Sequence, residues 1–148
     1  MLIADIFFAS AILLGFQTDE PVCHNKLAVE LSNAGWRGED NRIAWAIVNR
    51  ESNNKPAMVS PDGGYGLFQI QQGVWSDHQW WDWDTVLTRE GNIGMARALW
   101  EESGWSPWGL DKNGNFDFSS YSAWSSGQQW SWIVEPYLRY YYKYPCEG

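Results

Sequence analysis

One carboxylic acid, Glu51, lies at a position where a helix could hold it as a general acid. Residues 40–52 place apolar side chains at the spacing of one helical face, namely Ile43, Ala44, Ile47 and Val48. The next position on that face is Glu51, so the helix directs a carboxyl group along its buried side. A carboxyl that is partly removed from water at a cleft edge suits a general acid. The alternative is a helix-terminal acid paired with Arg50 or Arg42.

The segments around this helix predict further helices and a turn-rich connection. Residues 25–34 predict a short helix, and residues 53–64 predict a loop with hairpin turns because Asn, Pro, Ser, Asp and two adjacent Gly occur there. Residues 91–103 predict a core helix, which Asp82 or Asp84 could cap. No internal repeat or low-complexity linker divides the chain, which indicates one domain.

Composition excludes some partners and suggests others. The chain has 148 residues, a formal net charge of −8 and 12 tryptophans. The acidic balance argues against nucleic acid and against anionic membrane surfaces. Twelve tryptophans exceed what one core of this size normally holds, so some of them are expected at the surface, where they suit apolar or sugar-ring ligands. The alternative is a tryptophan-rich core that binds nothing.

The first residues raise a question of targeting. Residues 6–16 are apolar throughout, too short for a comfortable membrane span but of the length of a secretory signal core. No Lys or Arg precedes them, and Asp5 lies where positive charge is usual. Residues 1–20 are therefore either an export signal or anchor, or a first helix packed on the domain. The domain proper is predicted to cover residues 21–148.

Two cysteines, Cys23 and Cys146, lie at opposite ends of that domain. A disulfide between them would fit an oxidising compartment and close nearly the whole domain into one loop. The alternative is a pair of reduced thiols in the cytosol.

No metal site is expected. His24 and His78 have no ligand spacing with the cysteines. Residues 111–117 alternate oxygen-bearing side chains like a calcium loop, but the glycine is not in the sixth position. An Asn-Gly turn at Asn113-Gly114 explains the pattern better.

Four short motifs, taken in order, resemble those of the lysozyme-like superfamily. The nearest resemblance is to the soluble-lytic-type transglycosylase and goose-type lysozyme branch, over about residues 25–130. The motifs are Glu51-Ser52, the segment from Gly66 to Ile70, the segment from Asn92 to Ala96, and the segment from Ala123 to Gly127. The fourth departs from the usual Ala-Tyr-Asn-x-Gly, since Trp124 replaces the Tyr and Ser125 the Asn.

The resemblance implies a fold and a reaction. The fold is mainly helical α+β, lysozyme-like, with a small β-hairpin and a cleft between two lobes. The reaction is cleavage of the β-1,4 bond between N-acetylmuramic acid and N-acetylglucosamine in peptidoglycan. Glu51 would protonate the glycosidic oxygen and, in a lytic transglycosylase, then act as base on the muramic 6-hydroxyl. No cofactor is needed.

A hydrolase on this fold would need a second carboxylate at about 5 Å, or about 6.5–9.5 Å, from the first. Asp62, in the turn before Gly66, is the first candidate for this two-carboxylate muramidase, and Asp77 is the second. Asp before Gly-Gly is also ordinary turn chemistry. The sequence favours the single-acid transglycosylase slightly.

The resemblance also suggests substrate-binding residues: Ser52, Tyr65, Gln69, Asn92, Trp124 and Tyr137. Gln69 would form the cleft floor, or else be an amide satisfied by backbone. Trp124 would stack on a sugar, or else pack in the core.

These interpretations predict an extracytoplasmic or secreted monomer, or a phage lysis protein, acting on peptidoglycan glycan strands. Nucleic acid is not an expected partner, and a membrane is one only if residues 1–16 are an anchor. Two other classes of protein stay open: a non-catalytic glycan-binding module on the same fold, and a structural or virion component that only docks partners.

Overall fold

The structure, a computed structural model, describes residues 23–146 and is mainly helical with one small antiparallel hairpin. The helices are α1 (Lys26–Asn33), α2 (Glu39–Ser52), α3 (Gln72–Trp75), α4 (Arg89–Ser103), α5 (Ser126–Gln129) and α6 (Glu135–Tyr141). The strands are β1 (Gly64–Tyr65) and β2 (Ile70–Gln71), paired through Gly64 with Gln71 and Tyr65 with Ile70. Two 3₁₀ helices (Ser106–Trp108 and Ser119–Tyr121) and a π-helical segment (Trp130–Val134) complete the chain. The predicted mainly helical α+β class is thus confirmed. The prediction of a signal, an anchor or a first helix at residues 1–20 concerns residues outside the described part.

Helix α2 is the core helix that the apolar spacing predicts. Ile43, Ala44, Ile47 and Val48 are all buried. Glu39 and Asp40 lie in its first turn, where negative charge complements the helix dipole. The helix ends at Asn53, whose left-handed backbone (φ 52°) stops it. It packs against α1 and, most extensively, against α6.

Polar side chains cap the N-termini of α1 and α4. Asn25 caps α1 by accepting a hydrogen bond from the backbone N–H of Ala28 at 3.1 Å. The cap of α4 is Thr88, whose hydroxyl accepts from the N–H of Gly91 at 3.1 Å. The prediction of Asp82 or Asp84 at this cap is wrong, because α4 begins at Arg89 and both aspartates precede the cap position by four residues or more.

The 12 tryptophans fall into three groups of four, which are buried, partly buried and exposed. Trp36, Trp81, Trp105 and Trp108 are buried in the core. Four others pack against it and are partly buried, namely Trp45, Trp75, Trp80 and Trp100. The last four are exposed: Trp83, Trp124, Trp130 and Trp132. The expectation that some tryptophans lie at the surface is confirmed.

The ends of the described chain are joined. Cys23 and Cys146 form a disulfide with their Cα atoms 5.5 Å apart, as the first of the two interpretations predicts. Arg42 strengthens the same junction, because its Nε donates to the carbonyl of Tyr141 at 2.9 Å and its guanidinium lies over the Tyr141 ring. The C-terminal helix is thereby fixed to the first half of α2.

Residues 111–117 form the predicted Asn-Gly turn. The carboxylate of Asp111 accepts from the backbone N–H groups of Asn113 and Asn115 at 2.8 and 3.0 Å. Gly114 has a φ of 82°, which suits glycine. Among residues 23–146, no three His, Cys, Asp or Glu side chains are grouped as metal ligands. Over the same residues, no helix has the length and apolar character needed to cross a membrane.

Asn92 joins the hairpin to α4. This side chain is fully buried. Its Oδ1 accepts from the N–H of Phe68 at 2.9 Å, and its Nδ2 donates to the carbonyls of Tyr65 and Val86, both at 2.9 Å. A Cβ at Gly66 would lie 2.2 Å from that Nδ2, so glycine is required there. All of these bonds end on backbone, so Asn92 has a structural position in place of the substrate contact that we expected.

Replacing Asn92 by Ala should lower the free energy of unfolding by about 3 kcal/mol, because buried backbone groups of the hairpin lose their partner. Urea unfolding followed by far-UV circular dichroism measures this. Gly94→Ala is the matched control on the same helix, since nothing lies within 4 Å of a Cβ placed there. It should be neutral or slightly stabilising. Equal effects of the two substitutions would contradict this role of Asn92.

Candidate functional site

Glu51 lies in the last turn of α2, held by the preceding residue. The Nη2 atom of Arg50 donates to Oε1 of Glu51 at 2.7 Å. The same Nη2 donates to the carbonyl of Trp108 at 2.9 Å, and Nη1 donates to the carbonyl of Ile133 at 3.5 Å. Three parts of the chain that are distant in sequence therefore meet at one guanidinium.

The two charged side chains differ in their access to solvent. The Arg50 side chain is 3% exposed, whereas that of Glu51 is 26% exposed. Arg50 is thus fixed from the inside by backbone carbonyls, and Glu51 extends from it to the surface. Glu51 thus pairs with Arg50, as the alternative interpretation of this helix end predicts, and its carboxyl group stays accessible in part. A solute at the surface could reach it.

Tyr121 is the tyrosine of this site. Its hydroxyl donates to the carbonyl of Pro107 at 2.6 Å. Burial raises the pKa of Tyr121 to about 12, and the negative charges of Glu51 and Asp62 act in the same direction while Arg50 opposes them. Tyr121 therefore lies within electrostatic reach of all three, as a neutral phenol at ordinary pH. Its sequence context, Phe118-Ser119-Ser120, has no periodicity from which this position could be predicted.

Tyr137, the tyrosine that the resemblance suggests, lies elsewhere. It is buried in α6, edge-on to Phe116 and stacked with Tyr141 at a centroid distance of 5.5 Å. Burial raises its pKa above the ordinary value, and Tyr141 and Glu39 add to the rise. A phenol enclosed by other rings is a core residue. The expected substrate contact at Tyr137 is therefore not what the structure shows.

The two candidates for a second carboxylate are both exposed. Asp62 lies in the turn before β1 and accepts a hydrogen bond from the hydroxyl of Ser60, which itself accepts from the N–H of Gly64 at 3.0 Å. Asp62 thus helps to close the turn, and its charge also acts on Tyr121. Asp77 lies in the turn after α3 and has no such connection to the Glu51 neighbourhood among the described interactions.

Gln69 closes the hairpin loop. Its backbone is left-handed (φ 49°), and its Nε2 donates to the carbonyls of Met58 and Gly66 at 3.1 and 3.0 Å. Gly64 leaves room for it, because a Cβ at that position would lie 2.5 Å from Oε1 of Gln69. The amide nitrogen is used by backbone, as the alternative interpretation expects. Ser52 is likewise satisfied internally, since its hydroxyl donates to the carbonyl of Val48 at 3.0 Å and the residue is buried.

Two aromatic pairs lie in this region, one that includes Tyr121 and one that includes the hairpin residue Tyr65. Trp124 is 38% exposed and meets Tyr121 edge-on at a centroid distance of 4.9 Å. Tyr65, in β1, meets Trp83 edge-on at 5.7 Å. Trp124 therefore exposes part of its indole ring beside Tyr121, whose pKa is raised in part by the charge of Glu51. Ser125, which replaces the usual Asn of the fourth motif, is the N-cap of α5 in a capping box with Gln128.

The structure thus brings together some of the predicted site residues and separates others. Glu51 is bonded to Arg50, and Trp124 contacts Tyr121, whose pKa the charges of Glu51 and Arg50 affect. The charge of Asp62 also contributes to the raised pKa of Tyr121. Asn92, Ser52 and Tyr137 are buried and have structural partners.

Searches against protein-family models, characterised proteins and solved structures found nothing similar to this chain. The resemblance to lysozyme-like enzymes therefore rests on the four motifs alone.

Arg50→Met should lower the free energy of unfolding by about 3 kcal/mol or more, since it leaves a carboxylate and two carbonyls without their donor. Arg139→Met is the control, because Arg139 pairs with Glu135 at 2.7 Å but both are largely exposed, and such pairs contribute about 0.5 kcal/mol. Urea unfolding measures both. Adding Glu51→Gln to Arg50→Met should recover part of the loss. Similar losses for the two arginines would contradict the anchoring role of Arg50.

Stability should fall at high pH in part through Tyr121. Its pKa rises on folding from 10.0 to about 12, so between these values the folded state keeps a proton that the unfolded chain releases. The contribution of this proton to the free energy of unfolding is complete below pH 10 and is lost as the pH rises through about 12. Tyr121→Phe should make the decline in unfolding free energy shallower over that range, measured by urea unfolding at several pH values. An unchanged slope relative to each protein's value at pH 7 would contradict this.

Proposed function

We propose that the protein cleaves peptidoglycan at the β-1,4 bond between N-acetylmuramic acid and N-acetylglucosamine, as a lytic transglycosylase with Glu51 as its acid and base. The observation that carries the proposal is the position of Glu51: it ends the buried face of the core helix, is partly exposed, and is oriented by a buried arginine. A carboxyl held in this way keeps a fixed geometry while one side of it faces a ligand.

The four motifs and the contacts around Glu51 support a lysozyme-like arrangement. We place the substrate cleft between the hairpin side, which carries Asp62, and the side formed by residues 106–134, which carries Tyr121 and Trp124. Trp124 would offer its exposed indole face to a sugar ring in that cleft.

In the proposed reaction, protonated Glu51 gives its proton to the glycosidic oxygen, and the bond from that oxygen to C1 of the muramic acid breaks. The resulting carboxylate then takes the proton of the 6-hydroxyl, whose oxygen bonds to C1 and forms a 1,6-anhydro ring. No water is consumed. The guanidinium of Arg50, which donates to Oε1 of Glu51 at 2.7 Å, orients the carboxyl group in both halves of the cycle.

A two-carboxylate muramidase is the second candidate. Asp62 supports it, because its carboxylate is exposed in the turn that precedes β1. Such an acid could hold a water molecule that attacks C1 in place of the 6-hydroxyl. The disulfide between Cys23 and Cys146, typical of oxidising compartments, supports an extracytoplasmic site of action for either enzyme.

Mass spectrometry of the soluble products from purified peptidoglycan tests the proposal. Wild type should release fragments ending in anhydromuramic acid, and Glu51→Gln should release none, because the proton donor is gone. Asp62→Asn should retain the anhydro products, since no second acid is needed.

Other product patterns separate the alternatives. Reducing ends that are lost in Asp62→Asn would identify the muramidase. If wild type releases nothing but still sediments with the insoluble wall, the protein is a glycan-binding module and the enzymatic proposal is wrong.

A further inference from the structure

The last residue of the Ser106–Trp108 3₁₀ helix connects the hairpin to the Glu51 site. The indole Nε1 of Trp108 donates to the carbonyl of Phe68 at 2.9 Å, and Phe68 lies in the loop between β1 and β2. The backbone carbonyl of Trp108 accepts from Nη2 of Arg50 at 2.9 Å. The same Nη2 donates to Oε1 of Glu51. Trp108 is therefore bonded both to the hairpin loop and to the arginine that orients the acid.

The indole N–H of Trp108 differs from those of the other tryptophans of the core. Trp36, Trp81 and Trp105 are also buried, but their Nε1 atoms have no hydrogen-bond partner within residues 23–146. Those three side chains contribute to the core through ring packing. Trp108 contributes a hydrogen bond as well, and among the apolar aromatic residues only tryptophan has a donor that can make it.

The groups that form this connection are shielded from water. Phe68 is fully buried, Trp108 is 2% exposed and the Arg50 side chain is 3% exposed. The N–H of Phe68 donates to the fully buried Asn92 at 2.9 Å, so the loop is held at both backbone groups of one residue. A buried network in which each donor has its acceptor is rigid. The separation between the hairpin loop and Glu51 is therefore set by hydrogen bonds in addition to packing.

We propose that Trp108 is a positioning residue for the proposed reaction, which holds the hairpin side of the cleft at a fixed distance from the carboxyl group of Glu51. The inference rests on the proposed function and adds to it a residue that acts through Phe68 and Arg50. Attack by the muramic 6-hydroxyl on C1 is intramolecular and depends on how the sugar ring is oriented. A fixed hairpin side favours that orientation, and loss of the Trp108 bond lets water compete for C1.

The test compares two neighbouring buried tryptophans. Trp108→Phe removes the bond to Phe68, whereas Trp105→Phe removes the same atoms from an indole whose N–H has no partner. The two rings are in contact at a centroid distance of 5.9 Å, so a general loosening of this part of the core would affect both variants. Each protein is incubated with soluble, uncross-linked glycan strands. Rates give kcat and KM, and mass spectrometry gives the ratio of reducing ends to anhydromuramic ends.

Trp108→Phe should lower kcat by about tenfold or more with KM nearly unchanged, because an orientation needed in the transition state is lost. It should also raise the ratio of reducing to anhydromuramic ends, which Trp105→Phe should leave at the wild-type value. This ratio does not depend on how much of the protein is folded, so a loss of stability alone does not change it. If Trp108→Phe does not fold, Trp108→3-benzothienylalanine replaces only the indole N–H by sulfur and should give the same changes.

The outcomes separate this inference from the proposed function. Cleavage by wild type with the same kcat and end-group ratio in Trp108→Phe overturns the inference and leaves the enzyme intact. Equal changes in Trp108→Phe and Trp105→Phe also overturn it, because the packing and not the bond would then be responsible. Absence of cleavage by wild type overturns the proposed function and the inference with it. If wild type releases only reducing ends, the enzyme is a muramidase, and a fall in kcat confined to Trp108→Phe supports the positioning role. Circular dichroism confirms that each variant is folded.

Discussion

The buried guanidinium of Arg50 is the interaction on which this arrangement depends. A charge with almost no exposed surface needs partners on every side, and here they are one carboxylate and two backbone carbonyls. The carbonyls belong to the Ser106–Trp108 3₁₀ helix and to the π-helical segment. Neither segment has a hydrogen-bonded sheet neighbour that could fix it. The arginine therefore helps to order both of them around the end of α2, and it orders Glu51 at the same time. The Ser106–Trp108 helix is also held by the hydroxyl of Tyr121 and by the bond from the Trp108 indole to the carbonyl of Phe68.

This constraint also explains why the outer segments can carry unusual features. A π-helical segment and exposed tryptophans are costly unless the backbone beneath them is held, because a π-helical turn is a poor hydrogen-bonding arrangement by itself. Burial of Ile133 and Val134 supplies part of the support, and the Arg50 contact supplies another. The core thus tolerates exposed indole rings that would be a liability on a freely moving loop.

Features that depend on neighbouring positions could be predicted from the sequence. The apolar spacing of α2 predicts which of its side chains are buried and that Glu51 follows them to the edge. Turn chemistry predicts the loop at Asn113-Gly114, and the placement of the two cysteines allows the disulfide. These are local or pairwise signals with simple geometry.

Features that depend on long-range packing could not be predicted in the same way. The sequence suggests Tyr137 and gives no signal for Tyr121. Only the fold shows that Tyr121 lies near Glu51 and that Tyr137 lies among core rings. Asn92 is similar: an amide in a motif could face a sugar or satisfy backbone, and its bonds to the carbonyls of Tyr65 and Val86 show that it satisfies backbone.

The joined ends of the domain have a consequence for how the chain could be rearranged. Because the Cα atoms of Cys23 and Cys146 are 5.5 Å apart, a short peptide linker could replace the disulfide and connect these two positions covalently. New termini could then be opened in the exposed turn at Asn113-Gly114. In such a circular permutant α6 would precede α1, and both would still flank α2. The order of elements along the chain is therefore separable from the assembly of residues around Glu51.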